Sequence, residues 1–239
     1  MYVARASVFL LIGLALVLAV SFPGIAVVHP PDINPADFTP RQEINNQYFP
    51  LPVGTLFVYE GTKEGVPTYD EICVTQQARV IEGVLATVVH HRSFAGNPRL
   101  LVEDTRDWHA QDIFHNVWYL GEDTIEFPSG STEGSWESGV NDADAGFIML
   151  ANPHVGDQYY QEFARNVAED QAKVLSTDES LIIRGVTYNN VILTKETSRL
   201  DPGAVEYKYY APGIGFILGV TIKGGDERTE LARIGTCSE

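Results

Sequence analysis

From residue 55 onward, hydrophobic and polar side chains alternate with a period of two, in short runs interrupted by Gly, Pro, Asn and Asp. That period sends successive side chains to opposite faces of an extended strand. The runs predict strands over residues 55–60, 71–81, 84–92, 99–112, 116–120, 124–127, 158–163, 167–177, 180–184, 186–188, 191–199, 204–211, 215–223 and 229–234, with a short one near Trp136. Turn signals fall between them at Glu82-Gly83, Gly96-Asn97-Pro98, residues 152–157 and Pro212-Gly213. The glycine-rich stretch 130–146 reads as a loop. One window carries two periods at once. Val167, Ala168, Gln171, Ala172 and Leu175 could line a helix face, yet we assign residues 162–175 to strand.

So many strands joined by short turns predict an antiparallel meander. Twist accumulates across such a sheet, and bare edges invite aggregation. A mostly β domain is therefore expected, built as a single curved antiparallel sheet, a half-barrel or barrel. It should occupy residues 47–239. Residues 27–46 are polar and hold Pro30, Pro31, Pro35 and Pro40, so they read as an extended lead-in with a helical turn near 42–45.

Ahead of the lead-in, Arg5 precedes an apolar run over residues 6–20 that Pro23 and Gly24 break. With small residues at Gly24 and Ala26, this predicts a signal peptide over residues 1–26, an uncleaved anchor being the alternative. A secreted or periplasmic location follows, with no stable membrane insertion after cleavage. No cysteine follows the apolar run where lipid attachment would need one. In an oxidising compartment Cys73 and Cys237 are expected to form a disulfide, two buried thiols being the other reading.

Composition adds one constraint. The formal charge of −16 on 239 residues repels nucleic acid and anionic membranes. It suits cations and basic partners, although a solvated acidic surface accounts for it equally well.

Candidate chemistry gathers in residues 103–123. On a strand, Thr105, Asp107, His109 and Gln111 share one face, and Asp104, Arg106, Trp108, Ala110 and Asp112 share the other. Asp107 and His109, with Glu122 on the next strand, are candidate ligands for a divalent cation or an acid–base pair. An ordinary cross-strand surface pair is the competing reading. Asp112, Asn116 and Trp118 read instead as hairpin construction, with His115 at a position comfortable for glycine. His90 and His91 face opposite sides of their strand, so only one of them could join His109 or His154. The window from Asn141 to Gly146 offers loop oxygens for calcium but lacks the spacing of an EF-hand.

Trp108, Trp118, Trp136, Tyr207 and Tyr209 are candidates to line a cavity for an apolar or amphipathic small molecule, and could equally fill a core. No HExxH, nucleophile elbow, P-loop, dinucleotide fingerprint or CxxC is present. No catalytic residue is nominated, and no cofactor beyond a divalent cation.

Three segments together resemble an uncharacterised family of exported bacterial proteins over residues 44–233. They are Tyr48-Phe49-Pro50-Leu51-Pro52-Val53-Gly54-Thr55, Asp107-Trp108-His109-Ala110-Gln111-Asp112 with Asn116-Val117-Trp118-Tyr119-Leu120-Gly121-Glu122, and Lys208-Tyr209-Tyr210-Ala211-Pro212-Gly213-Ile214-Gly215. His115 stands where that family usually has glycine, and His109 where it has tyrosine. The resemblance implies export and a β-rich domain but no activity. More loosely, an exported curved sheet is similar to the periplasmic lipoprotein carriers, which hold acyl chains in a concave face. The leading expectation is an exported protein that binds a small apolar or amphipathic molecule. The alternatives are a metal-assisted hydrolase using Asp107 and His109, and a non-catalytic interaction domain of the envelope.

Overall fold

The computed structural model describes residues 29–40 and 43–238. The predicted signal segment lies outside them. The strands are β1 (Thr55–Lys63), β2 (Val66–Ile81), β3 (Val84–Ala95), β4 (Leu100–Gln111), β5 (Val117–Glu126), β6 (Trp136–Glu137), β7 (Asp144–Met149), β8 (Gln158–Tyr160), β9 (Glu162–Phe163), β10 (Asp170–Ile183), β11 (Val186–Ser198), β12 (Val205–Ala211), β13 (Gly215–Lys223) and β14 (Arg228–Thr236). They form one antiparallel sheet that is nearly closed, barrel-shaped with one unsealed seam, as the alternation predicts. Among the described residues no helix is long and apolar enough to cross a membrane.

The sheet order is β8-β10-β11-β12-β13-β14-β1-β2-β3-β4-β5-β7-β9, with β6 paired to β5. Neighbours are mostly successive hairpins. The exception that closes the ring is β14, which returns to pair with β1 from Thr55↔Thr236 to Thr62↔Arg228. Beside that junction Cys73 on β2 is bridged to Cys237, with Cα atoms 6.0 Å apart across a sequence separation of 164. The seam lies between the sheet ends, where one stretch of chain serves both. Tyr160 and its neighbours pair with β10, and two residues later Glu162 pairs with β7.

Several predicted strands are longer than the alternation suggested. Residues 116–127 form the single strand β5, 167–184 contract into β10, and 186–199 form β11. Bulges allow this, because a pairing ladder survives an extra residue that breaks the two-residue period. Within the stretch read as a loop, Asp144 already begins β7. Gly146 is required there, since a Cβ would lie 2.4 Å from the Gln161 carbonyl. Of the ambiguous window, Glu162–Phe163 and the residues from Asp170 onward are strand, as assigned, while residues 165–167 form a turn. The expected helical turn near 42–45 is not where the chain coils. A 3-10 turn stands at Pro35–Asp37, capped by the Asn34 side chain, whereas Ile44 bridges to Leu51; residue 42 lies outside the described residues.

One end of the barrel is plugged by residues 43–51. Leu51 N donates to Ile44 O at 2.8 Å. Gln111 and Asn45 exchange two hydrogen bonds, and the buried Asn46 amide donates to the carbonyls of His115 and Leu150. The turns 112–116 and 212–214 stand at this end, Gly213 N donating to Gln47 O. Outside the wall, Ile33 and Phe38 of the lead-in cover a second core of Ile81, Val84, Trp108, Ala110, Trp118 and Leu120.

The β4–β5 turn is held as the sequence implies. Buried Asp112 accepts from Phe114 N, Asn116 N, Asn116 Nδ2 and Trp118 Nε1, each at 2.9 Å. His115 takes φ 70°, the glycine-like conformation. Asp112→Ala leaves four donors without their acceptor and should cost about 3 kcal/mol or more, measured by urea unfolding. Cys73→Ser should cost at most about 5 kcal/mol, the chain-entropy value for a loop of this length, read as the drop in unfolding midpoint against the oxidised protein.

Candidate functional site

The barrel encloses two connected hollows. The inner chamber, of about 280 Å³, rests on the plug at Phe49, Pro50 and Leu51. Its walls are mainly apolar and aromatic, with Phe57, Ile72, Tyr210 and Phe216 among them. The outer hollow, of about 760 Å³, opens at the opposite end among the β1–β2 turn, Phe127 and Glu227. Tyr59, Ile72, His91, Lys208 and Phe216 line both and form the neck between them.

Polar groups collect on the β4–β5 wall and at the neck. On β4, Asp107 and His109 both face the chamber, as period-two reading places them. On β5 the period is broken. Asp107 pairs with Glu122 and His109 with Tyr119, so β5 carries one residue more than β4 over this span. Gly121 sits in that bulge at φ 133°, and a Cβ on it would lie 2.3 Å from the Trp136 carbonyl oxygen. The bulge turns Tyr119 and Glu122 to the same side. The Tyr119 hydroxyl contacts both carboxylates, 2.7 Å from Asp107 Oδ1 and 3.0 Å from Glu122 Oε2. His109 stacks on Tyr119 with ring centroids 4.8 Å apart and meets Phe49 edge-on.

Burial dominates the electrostatics of this wall. It pulls the His109 imidazole below its usual value, against the opposing pull of Asp107 and the Trp118 backbone. His109 is only 7% exposed, and its Nδ1 has no hydrogen-bond partner among the described residues. Burial, with the Asp107 charge behind it, pushes the Glu122 carboxyl up to about 8, although the Tyr119 hydroxyl draws it the other way. Glu162, which accepts from Trp136 Nε1 at 3.0 Å, is likewise raised by burial and then by Asp170 and Glu122.

Across the neck the cations are neutralised where they stand. Burial lowers His91, but its hydrogen bond to Asp70 and the charges of Asp107, Asp70 and Glu103 outweigh that and raise it. Burial also opposes the charge on Lys208, and Glu196 and Glu206 more than compensate. The Lys208 ammonium lies 2.8 Å from Glu196 and 3.5 Å from Glu206.

The aromatic residues nominated from sequence lie elsewhere. Trp108 and Trp118 belong to the outer core beneath the lead-in, and the Arg79 guanidinium covers Trp108 at 4.3 Å. Trp136 packs edge-on to Tyr119 and flanks a shallow outer groove with Trp108. Tyr207 and Tyr209 point opposite to Lys208 and Tyr210, which face the hollow. None of the five lines the inner chamber. Strand parity carried the signal that was missed: Trp108 lies between Asp107 and His109, so it cannot share their face. Asp107, His109 and Glu122 are brought together, but around the Tyr119 hydroxyl. Among the described residues no group of three or more His, Cys, Asp or Glu side chains is arranged to hold a metal ion, the Asn141–Gly146 window included. His91 joins His109 on the chamber wall, while His90 turns outward to Asp104 at 3.0 Å.

No protein-family model matches the chain, and no curated protein does. Among solved structures, it is similar to a putative lipoprotein from Parabacteroides distasonis ATCC 8503, at 14% identity and a TM-score of 0.39. The match covers 79% of this chain and 99% of that one. So distant a likeness carries no functional assignment.

The Glu122 carboxyl makes stability depend on pH. Its folded value, about 8, lies above the ordinary 4.5. The stability tied to it is therefore fully present below 4.5 and is lost as pH rises through about 8. Glu122→Gln keeps the shape of the protonated group and removes the titration. Relative to the parent, it should be near neutral in acid and more stable by ~2 kcal/mol in mild alkali, checked by thermal melts across that range.

Proposed function

We propose that this chain is an exported binding protein that holds a small apolar or amphipathic molecule inside its barrel. The observation that carries the reading is the inner chamber, a mainly apolar space of about 280 Å³ that the protein's own side chains leave unfilled. Concave apolar space with a few convergent polar groups is the usual form of a small-molecule site. The polar neck and wider outer hollow give such a molecule a route in and a place for its polar part. The Cys73–Cys237 bridge and the predicted signal segment support action outside the cytoplasm.

Nile red, a neutral apolar dye, tests this. It should bind saturably, with enhanced emission. Ile72→Trp, which puts an indole in the neck, should weaken binding about ten-fold or more, because the chamber can no longer accept the dye. Trp108→Phe, on the outer face, should leave it unchanged. Absence of saturable binding, or indifference to Ile72→Trp, overturns the proposal. Elemental analysis addresses the hydrolase alternative, since a stoichiometric metal lost in Asp107→Ala would favour it.

A further inference from the structure

The binding role leaves open which polar group the molecule carries, and the walls discriminate. The lysines lining the two hollows are Lys63 and Lys208. Lys63 is paired with Glu227 at 3.1 Å, and Lys208 with Glu196 and Glu206. His91 is held by Asp70. An anionic head group would thus find each of these cations already bound to a carboxylate.

The carboxylates are not matched in return. Asp107, Glu103 and Glu126 line the hollows, and none of them takes part in an ion pair among the described residues. Asp107 Oδ1 accepts from Tyr119, and its second oxygen takes none of the described hydrogen bonds. One pleat along the same face, buried His109 has an Nδ1 without a partner among the described residues. The hollows are thus lined by more carboxylates than cations, and Asp107 presents to the apolar chamber an oxygen that takes none of the described hydrogen bonds.

We propose that the hollow selects an organic amine, its apolar body in the inner chamber and its ammonium on Asp107, with Glu103 four residues away on the same strand in the outer hollow. This rests on the binding role proposed above. An ammonium offers donors and no acceptor, so it satisfies the Asp107 carboxylate. A carboxylate or phosphate head in the same place would meet Asp107 with like charge.

Isothermal titration of the full chain with octylamine, octanol and octanoate at neutral pH is the test. These share one tail and differ in head-group charge. The amine should bind about ten-fold or more tighter than octanoate, with octanol between. Asp107→Asn should bring the amine down to the level of octanol and leave octanol within about two-fold of its parent affinity. Should that variant fail to fold, Glu103→Gln should narrow the gap between amine and octanoate. Equal or tighter binding of octanoate, or a preference untouched by these substitutions, overturns the amine assignment and leaves the binding role standing. If none of the three binds, both proposals fall.

Discussion

The pairing of the first strand with the last governs the rest. An open sheet of this many strands leaves two edges of unsatisfied backbone groups, and strand twist alone does not bring those edges together. Here β14 lies against β1, with the Cys73–Cys237 bridge beside the junction, so the first and last strands sit in the middle of the sheet order. The sheet edges are displaced to the short strands β8 and β9, which are neighbours in sequence. Closure on this scale has a geometric consequence. About eight strands make a barrel that side chains can just fill, and this ring has more. The plug of residues 43–51 closes one end, and what it cannot reach remains as the hollow.

Alternation made most of this legible. The period of two identified the strands, and the facing sets on β4 emerged as read: Asp107 and His109 inward, Trp108 and Ala110 outward. Asp112, His115 and Trp118 were legible as a turn because their chemistry is local. The rest depends on contacts distant in sequence. Gly121 is a bulge because the Trp136 carbonyl occupies the space of its Cβ, and β7 exists because Gly146 lets the chain pass Gln161. A lone glycine in a sequence announces neither neighbour. The tryptophans misled for a different reason. Large aromatics are as useful under the lead-in as inside the barrel, so residue type could not choose between the faces, whereas parity with Asp107 could.

The interior also shows how an acidic chain accommodates its charge. Lys208, Glu196 and Glu206 are packed as an ion-paired set on one wall. On the β4–β5 wall much of the cost is met by protonation instead, with Glu122 raised to about 8 and Tyr119 bridging it to Asp107. The two walls differ in kind. One is internally paired, while the other keeps an acceptor surface.

That difference separates structural polar groups from those available to a ligand. Asp112 and His109 are both buried and lie three residues apart on the same strand end. Asp112 has four donors around its carboxylate, as a buried group that only supports a turn should. His109 Nδ1 has none among the described residues, and the bulge that gathers Tyr119 and Glu122 beside it adds to the desolvation of acidic groups instead of relieving it. A barrel shaped for stability alone would be better served by an aliphatic residue at 109 and a neutral one at 122. A buried histidine left unsatisfied on a chamber-lining strand, while the adjoining turn is fully satisfied, is where local rules yield to function.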